Sequence, residues 1–309
     1  MVNSINFVVL GDYSIAAELG KKGTTSDIAI YDRKTQDTIY SWTAPITFPD
    51  KIQSLMQAVN MAEYAILNVT KLDKYLGEQM IALDSVEFKD GFILHSYDID
   101  ETKLKTLIEI TSLSNFKFLD GLDQLKQSLT NIKPKSTAGS LIINVDHAFD
   151  VKGVGTVVLG VIKQGRVKIY DELTLLPAGK SIVVKSIQMH DDSVHGSESP
   201  ARVGLAIKGA TADEISRGDI ICPPDTINVS SGSLSAKFTK SSFFKVDLAE
   251  NQTYMISIGL QIKPAKIKQT GDSLEITPEK PTAYRPSQIC VLLKPDSQGT
   301  RIVGKGIIQ

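Results

Sequence analysis

The stretch Phe149-Asp150-Val151-Lys152-Gly153-Val154-Gly155-Thr156-Val157-Val158-Leu159-Gly160 decides the fold of this chain. Gly155 opens a run of β-branched and apolar residues that is typical of a β-strand. Glycines stand before this run and at its end. Turns and sharply bent strands need glycine, because their torsions and close approaches are obstructed by a side chain. The stretch therefore predicts a strand that leaves a glycine turn within a small barrel or sandwich.

The same pattern extends in both directions from this stretch. Short β-branched runs separated by glycine-bearing turns occur at residues 141–145, 155–161 and 180–187. A second turn-rich segment, residues 223–233, leads into further predicted strands at residues 243–248, 254–262, 265–269, 287–293 and 301–308. The pattern predicts two consecutive β domains, at residues 138–225 and 234–309.

The first third of the chain has a different periodicity. Short apolar runs at residues 5–10, 64–68 and 91–95 are typical of buried parallel strands. Between and after them, residues 50–61, 72–83 and 101–112 place apolar side chains three and four positions apart, as amphipathic helices do. This alternation predicts a parallel sheet covered by helices. The polar, turn-prone residues 131–135 end this α/β domain, at residues 1–134.

Composition limits the classes of function. The 309 residues are 42% apolar and 22% charged, which is typical of a folded globular protein. With a net charge of -1, no global basic field attracts nucleic acid, so any RNA contact needs a local pocket. Two cysteines exclude a disulfide framework and a four-cysteine zinc site. No signal peptide or run of roughly 20 apolar residues is present, so we expect a cytoplasmic protein without membrane partners.

Several motifs around the opening stretch resemble one known family. In chain order they are Gly165-Arg166-Val167-Lys168, Asp171-Glu172-Leu173, Val203-Gly204-Leu205, Ile215-Ser216-Arg217-Gly218-Asp219-Ile220 and Arg301-Ile302-Val303-Gly304-Lys305-Gly306. Together with the opening stretch they resemble the translational GTPase family of the elongation factor Tu type. Two further motifs, Asp146-His147-Ala148-Phe149 and Ser186-Ile187-Gln188-Met189-His190, point to its archaeal selenocysteine-specific branch. The resemblance implies a P-loop GTPase-like α/β domain followed by two antiparallel β-barrels.

The resemblance also locates the nucleotide site, where the motifs are degenerate. A P-loop needs G-x-x-x-x-G-K-[ST], whose backbone amides, lysine and hydroxyl hold the phosphates and magnesium. The corresponding octet is Gly11-Asp12-Tyr13-Ser14-Ile15-Ala16-Ala17-Glu18, which keeps only the first glycine. Ala17 stands at the lysine position and Glu18 at the hydroxyl position. At ~4 Å and an effective dielectric constant of ~20, a carboxylate beside one phosphate charge costs about 4 kcal/mol.

The remaining nucleotide motifs are degenerate as well. Thr25 matches the magnesium-binding threonine of the first switch, but it follows the octet after only a few residues. Ser41-Trp42-Thr43-Ala44-Pro45 replaces the D-x-P-G-H motif, and the guanine-reading motif retains only Asp98, whose alternative role is a helix cap. We therefore expect neither GTPase activity nor a bound GTP or magnesium cofactor, with weak GTP binding by an altered loop as the alternative.

A second pocket implied by the resemblance keeps its residues. Asp146, His147 and Arg202 match the positions at which the selenocysteine-specific factor recognises the aminoacyl group of charged tRNA. A selenolate is attracted to a guanidinium and to an imidazole kept protonated by a carboxylate. The alternative is that Asp146 caps a turn, His147 packs at the barrel edge and Arg202 makes a surface ion pair. Gln188 is a candidate contact for the tRNA 3′ end, with a solvent-facing strand residue as the alternative.

These motifs leave two classes of partner open. The leading hypothesis is an aminoacyl-tRNA or another RNA end, bound through the two β domains without enzymatic activity. The alternative is a protein of the translation machinery, bound without RNA. No DNA partner is expected. The cluster His190-Asp191-Asp192-Ser193-Val194-His195 suggests a metal site, but such polar loops are ordinary solvated turns and no metal is predicted. The selenocysteine-specific factor has a further C-terminal domain, and with this chain ending at Gln309 we do not expect recognition of a messenger element.

Overall fold

A computed structural model describes residues 2–250 and 252–309 of the chain. The N-terminal third forms a seven-stranded sheet in the order β2-β3-β4-β1-β5-β6-β7. Its elements are β1 Asn3–Gly11, α1 Ile15–Leu19, β2 Lys21–Thr25, β3 Ala29–Lys34, β4 Thr38–Ala44, α2 Ile52–Met61, β5 Tyr64–Val69, α3 Lys74–Ser85, β6 Gly91–His95, α4 Glu101–Glu109, a 3-10 turn at Ser112–Asn115, β7 Lys117–Phe118 and α5 Leu122–Leu129. The predicted α/β class is confirmed, and each of the three predicted strands and three predicted helices is present.

Helices cover both faces of this sheet, which explains why β1 is apolar at successive positions. Val8 and Leu10 face α2 and α3, whereas Phe7 and Val9 lie in a second cluster with α1 and α5. Strands β2, β3, β4 and β7 were missing from the sequence prediction. Strands β2 and β3 come first in the sheet order. They run antiparallel at the edge of the sheet, and every residue of β2 is exposed, so β2 lacks the alternation that marks a half-buried strand.

The middle of the chain forms the first barrel. Its strands are β8 Ile142–Val151, β9 Gly155–Gln164, β10 Arg166–Lys168, β11 Glu172–Leu176, β12 Lys180–Met189, β13 Asp192–Val194, β14 Gly196–Glu198, β15 Arg202–Lys208 and β16 Ile220–Cys222. The order β11-β16-β8-β9-β15-β12 closes on itself because β11 also pairs with β12. The opening stretch is the β8–β9 hairpin, whose turn contains Gly153 and Gly155 at φ of 82° and 98°.

The C-terminal third forms the second barrel, closed in the order β18-β21-β20-β19-β23-β24. Its strands are β17 Asn228–Ser230, β18 Leu234–Lys240, β19 Tyr254–Ile258, β20 Gln261–Thr270, β21 Ser273–Pro278, β22 Thr282–Tyr284, β23 Ile289–Leu293 and β24 Ile302–Ile308. Two strand predictions were wrong here. Residues 243–248 are irregular, and only Phe244 of this apolar run is buried in the barrel core. Residues 254–262 are two strands joined by a tight turn at Gly259 and Leu260.

The first domain and the second barrel share a hydrophobic core. Val291, Leu293 and Ile302 of the barrel belong to the same buried cluster as Leu55 and Met80 of the first domain. At the edge of this core the buried carboxylate of Glu78 binds the guanidinium and the backbone amide of Arg301. Within the described part of the chain, no helix is long and apolar enough to span a membrane.

Candidate functional site

The octet at the P-loop position is bonded to its own domain. The backbone amide of Gly11 donates to Gln79 Oε1 at 2.8 Å, and that of Asp12 donates to the carbonyl of Asn68 at 2.8 Å. The amide of Ser14 donates to Asp12 Oδ1 at 3.0 Å. Gly11 has a φ of +77°, and a Cβ there would lie 2.0 Å from the Asn68 oxygen. The surviving glycine thus permits close contact with β5, and three amides of the loop already have acceptors.

The helix after this loop also differs from what a triphosphate requires. It has five residues, Ile15–Leu19, and buries Ile15 and Leu19 against the sheet. Ala17 and Glu18 are exposed on its outer side, so the position offers a methyl group and a carboxylate in place of an ammonium group and a hydroxyl. Neither the side chains nor the loop amides fit a magnesium–triphosphate group.

The other two nucleotide-site positions are exposed and lie in ordinary secondary structure. Thr25 is the last residue of the edge strand β2 and pairs with Ala29 of β3. Asp98 lies in an exposed turn after β6. Its alternative interpretation as a helix cap is wrong, because Asp100 caps α4 by accepting a 3.0 Å hydrogen bond from the Lys103 amide.

The outer face of the first barrel carries a row of four residues that includes two of the predicted site positions. Gln188 of β12 pairs with Gly204 of β15, Gly204 with Leu159 of β9, and Leu159 with His147 of β8. Cross-strand partners point to the same side of a sheet, so these residues form one continuous surface. Arg202 lies two residues from Gly204 on the same strand and shares this face.

Asp146 and Arg202 form a partly buried ion pair behind this surface. Arg202 Nη2 and Nε lie 2.7 Å and 3.2 Å from Asp146 Oδ2. A β-bulge between Val145 and His147 turns Asp146 inward to 4% exposure while His147 stays exposed. The carboxylate therefore pairs with Arg202, and the His147 ring instead lies against Phe149 at 5.9 Å between centroids. Asp146 caps no turn, and the predicted support of a protonated His147 by Asp146 is not formed.

A cleft of about 610 Å³ separates this surface from the edge of the first domain. Gln188, Arg202 and Gly204 form one wall. The opposite wall comes from β2 and β3, where the cations Lys21, Lys22, Arg33 and Lys34 outnumber the single carboxylate, Asp32. Arg33 lies 5.5 Å from the ring centroids of Tyr40 and Trp42, and its buried Nε has no hydrogen-bond partner among the described residues. The cleft can accept an extended anion.

The polar cluster at residues 190–195 closes one end of the cleft. His190 and Asp191, at φ of 47° and 69°, form the tight turn between β12 and β13. His190 Nε2 lies 2.9 Å from Asp32 Oδ1, and Asp192 pairs with Lys34. The described residues contain no group of three or more His, Cys, Asp or Glu side chains arranged to hold a metal. These residues hold the barrel against the first domain.

Arg217 makes a second contact between the two bodies, which sequence reasoning missed. Its Nη1 lies 2.6 Å and 2.8 Å from the two carboxylate oxygens of Asp27, and its Nε donates to the Asp146 carbonyl at 3.0 Å. Burial raises the pKa of Asp27, but hydrogen bonds from Arg217 and Ser26 outweigh it and the pKa is lowered overall. The motif around Arg217 was visible in the sequence, but its partner lies 190 residues away.

An α/β domain with this strand order, followed by two closed barrels that pack on it, defines the class of three-domain translation factors. The elongation factor Tu domain 2 family matches residues 155–222. The chain belongs to the elongation factor Tu family of translation factors, as a relative of its selenocysteine-specific branch.

Two proteins from Methanocaldococcus jannaschii are similar to this chain. An uncharacterized protein is 31% identical over 296 residues, covering 94% of this chain and 95% of the relative. The selenocysteine-specific elongation factor is 30% identical over 240 residues, covering 70% of this chain and 51% of that factor. The chain thus spans about half the length of the selenocysteine-specific relative.

The fold is similar to solved structures of the elongation factor SelB from Methanococcus maripaludis. The apo form matches with a TM-score of 0.82 at 25% identity, covering 100% of this chain and 80% of that one. The complex of SelB with the GTP analogue GppNHp matches with a TM-score of 0.85 at 24% identity, covering 100% and 79%. Because the identity to the GppNHp complex is only 24%, that likeness shows the fold alone.

Proposed function

We propose that the protein binds aminoacyl-tRNA, with selenocysteinyl-tRNA as the candidate form, and neither binds nor hydrolyses GTP. The observation that carries this proposal is the cleft, in which Gln188 and Arg202 face a basic strand pair. The barrel wall would contact the aminoacylated end and the basic wall its phosphates. The protein would act in the cytoplasm without a cofactor.

Each wall of the cleft offers a different chemistry. Gly204 leaves a floor without a side chain between Leu159 and Gln188, so a flat base or ribose can approach the barrel closely. The Gln188 amide can both donate and accept hydrogen bonds there. Lys21 and Lys22 are exposed and would release counterions on meeting a nucleic-acid backbone.

Arg202 would supply the selectivity for the aminoacyl group. Asp146 fixes the orientation of the guanidinium through Nε and Nη2, and its carboxylate offsets the charge. A selenolate placed on the cleft side of Arg202 gains a charge-assisted hydrogen bond that the neutral hydroxyl of a seryl group lacks. His147 does not line the cleft but is exposed beside Leu159 on the same barrel face, where it would add a second donor to an RNA end that extends past the cleft.

The proposal that GTP is not used rests on the octet. The Gly11 and Asp12 amides bind Gln79 and Asn68, and Glu18 would place a carboxylate beside the phosphates. Without a nucleotide cycle, bound RNA would not be released by hydrolysis. A sequestering, chaperoning or regulatory role fits this better than delivery to the ribosome. Isothermal titration with GTP and magnesium should give no heat of binding; micromolar affinity would contradict this part.

Gel retardation with selenocysteinyl-, seryl- and uncharged tRNA tests RNA binding. We expect retention of the charged forms, with selenocysteinyl-tRNA the tightest, and loss of retention in Arg202→Ala and His147→Ala. The matched control is Arg166→Ala, an exposed arginine of the same barrel that does not line the cleft. Failure to retain any of the three RNAs would end the proposal.

The second candidate function is a protein-interaction module of the translation machinery. The β8–β9 hairpin favours it, because Val154 in its turn and Phe149 in β8 are 55% and 38% exposed. Under this alternative, Arg202→Ala and His147→Ala keep partner capture, whereas Val154→Ser together with Phe149→Ser removes it. Capture of a ribosomal protein or translation factor that depends on the hairpin but not on Arg202 would favour this candidate.

A further inference from the structure

A second cavity, of about 400 Å³, lies where the first domain and the two barrels meet. We call it the junction cavity; it is lined by Asn60 and Phe88 of the first domain, Asn144 and Lys163 of the first barrel, and Ser257 and Arg285 of the second. None of its lining residues lines the cleft described above. Its volume is within the range of small-molecule sites.

The charges around the junction cavity have one sign. Lys163 and Arg285 line it, and no aspartate or glutamate is among its described lining residues. Lys163 is paired with Glu63 at 2.8 Å, outside the lining. Arg285 donates only to a neutral acceptor, Gln164 Oε1 at 3.0 Å, so its charge is not compensated within the described chain. A site of this kind attracts an anion.

A buried hydroxyl without a partner is the second sign of a ligand. Ser257 is 2% exposed, and its Oγ makes no hydrogen bond within the described chain. Ile256 and Ile258 on the same strand point into the barrel, so Ser257 is on the outer side with the junction. Buried polar side chains are rarely left without a partner, and such a group therefore needs an explanation.

The walls of the junction cavity are fixed by the turn between β19 and β20. Gly259 has a φ of +56°, and a Cβ there would lie 3.2 Å from Asn144 Nδ2. Leu260 is buried in the core shared with the first domain, and its carbonyl accepts a 3.1 Å hydrogen bond from Gln57 Nε2. The cavity is therefore preformed, and a ligand in it would touch all three bodies.

We propose that the junction cavity binds a small organic anion, a phosphate monoester or a carboxylate with an apolar body. Arg285 would pair with the acidic group, assisted by the Asn144 amide and the Ser257 hydroxyl. Phe88, Ile142 and Ile227 supply apolar wall for the body of the ligand. Such a ligand would stabilise the packing of the three bodies independently of RNA binding in the cleft.

Calorimetric titration of the full chain with phenyl phosphate, benzoate and inorganic phosphate tests the proposal. We expect one molecule of phenyl phosphate or benzoate to bind per chain. The compound with the higher affinity shows whether the cavity prefers a phosphate or a carboxylate group. Inorganic phosphate should bind at least about tenfold more weakly, because it leaves the apolar wall unfilled. No binding of either organic anion at about 10 mM, or equal affinity for inorganic phosphate, would overturn the proposal.

Two variants locate the binding. Arg285→Gln should weaken it about tenfold or more, and Ser257→Ala more mildly. Arg166→Gln is the matched control and should leave it unchanged, since Arg166 lies outside the cavity. Circular dichroism checks folding; if Arg285→Gln does not fold, Ser257→Ala decides. Unchanged affinity in the folded variants would show that the anion binds elsewhere.

Discussion

The octet Gly11–Glu18 and the cleft on the first barrel are both places where the family resemblance implies a ligand, and they differ in what occupies their hydrogen-bonding groups. In the octet, the amides of Gly11, Asp12 and Ser14 are bonded within the domain. In the cleft, Gln188, Lys21 and Lys22 remain exposed. The difference teaches that the first domain satisfies the amides of this loop internally, while the neighbouring barrel keeps an open surface.

The largest expected effect tests whether the first domain now acts as a scaffold. Glu78→Ala removes the buried carboxylate that binds Arg301 and should lower the free energy of unfolding by about 3–5 kcal/mol, because the guanidinium is left unpaired. Chemical denaturation measures this. Glu87→Ala is the control, since Glu87 makes a more exposed pair with Lys305 and should cost at most about 1 kcal/mol. Equal losses would contradict a structural role for Glu78.

Two glycine substitutions compare the regions directly. Gly11→Ala should destabilise the protein by about 3 kcal/mol, because the new Cβ would lie 2.0 Å from the Asn68 carbonyl oxygen at a φ of +77°. Gly204→Ala should cost less than about 1 kcal/mol, since its Cβ meets the end of the Leu159 side chain at 3.3 Å. Thermal denaturation of both variants measures the difference. A tolerated Gly11→Ala would show that the octet is looser than its contacts indicate.

A smaller effect concerns the basic wall of the cleft. Lys21→Ala and Lys22→Ala should each weaken tRNA retention and reduce the slope of log affinity against log salt by about 1, because each removes one phosphate contact. Lys266→Ala is the control, as it changes an exposed lysine of the second barrel outside the cleft. Retention is measured at several salt concentrations. An unchanged slope in the two cleft variants would mean that β2 does not contact the phosphates.

The smallest effect is a pH dependence of the contact between the first domain and the first barrel. The folded-state pKa of Asp27 is lowered below 3.8, so its pair with Arg217 stabilises the protein fully above that value. This contribution is lost as the pH falls through the lowered pKa. The stability difference between the wild type and Asp27→Asn should therefore shrink from about pH 5 to about pH 2. A constant difference over that range would show that Asp27 does not titrate with the contact.

The sequence predicted the parts of the fold that depend on local pattern. Strands buried on both faces, such as β1 and β5, appear as continuous apolar runs, and the glycines of the β8–β9 hairpin identify its turn. Strand β2 has no buried residue and left no pattern. The apolar run at residues 243–248 resembled a strand, although only Phe244 enters the barrel core.

Of the two walls of the cleft, only the one formed by the first barrel could be predicted from the sequence. Motif resemblance singled out Arg202 for the aminoacyl pocket and Gln188 for the tRNA 3′ end, and the structure brings both to the cleft. The basic wall could not be found, because it faces the barrel only through packing of two separate domains. The pair of Asp146 with Arg202 depends on a bulge, and a one-residue shift in register leaves no mark in composition or periodicity.

The insertion of Leu260 into the core of the first domain has a consequence for how the molecule melts. The side chains of Leu260, Val291 and Ile302 are buried in a core that the first domain and the second barrel share. If either domain unfolds, apolar surface of the other becomes exposed to water. The first domain and the second barrel should therefore unfold as one cooperative unit, with a single heat-capacity peak and equal calorimetric and van't Hoff enthalpies. The first domain would then contribute to the stability of the second barrel independently of any ligand that it binds.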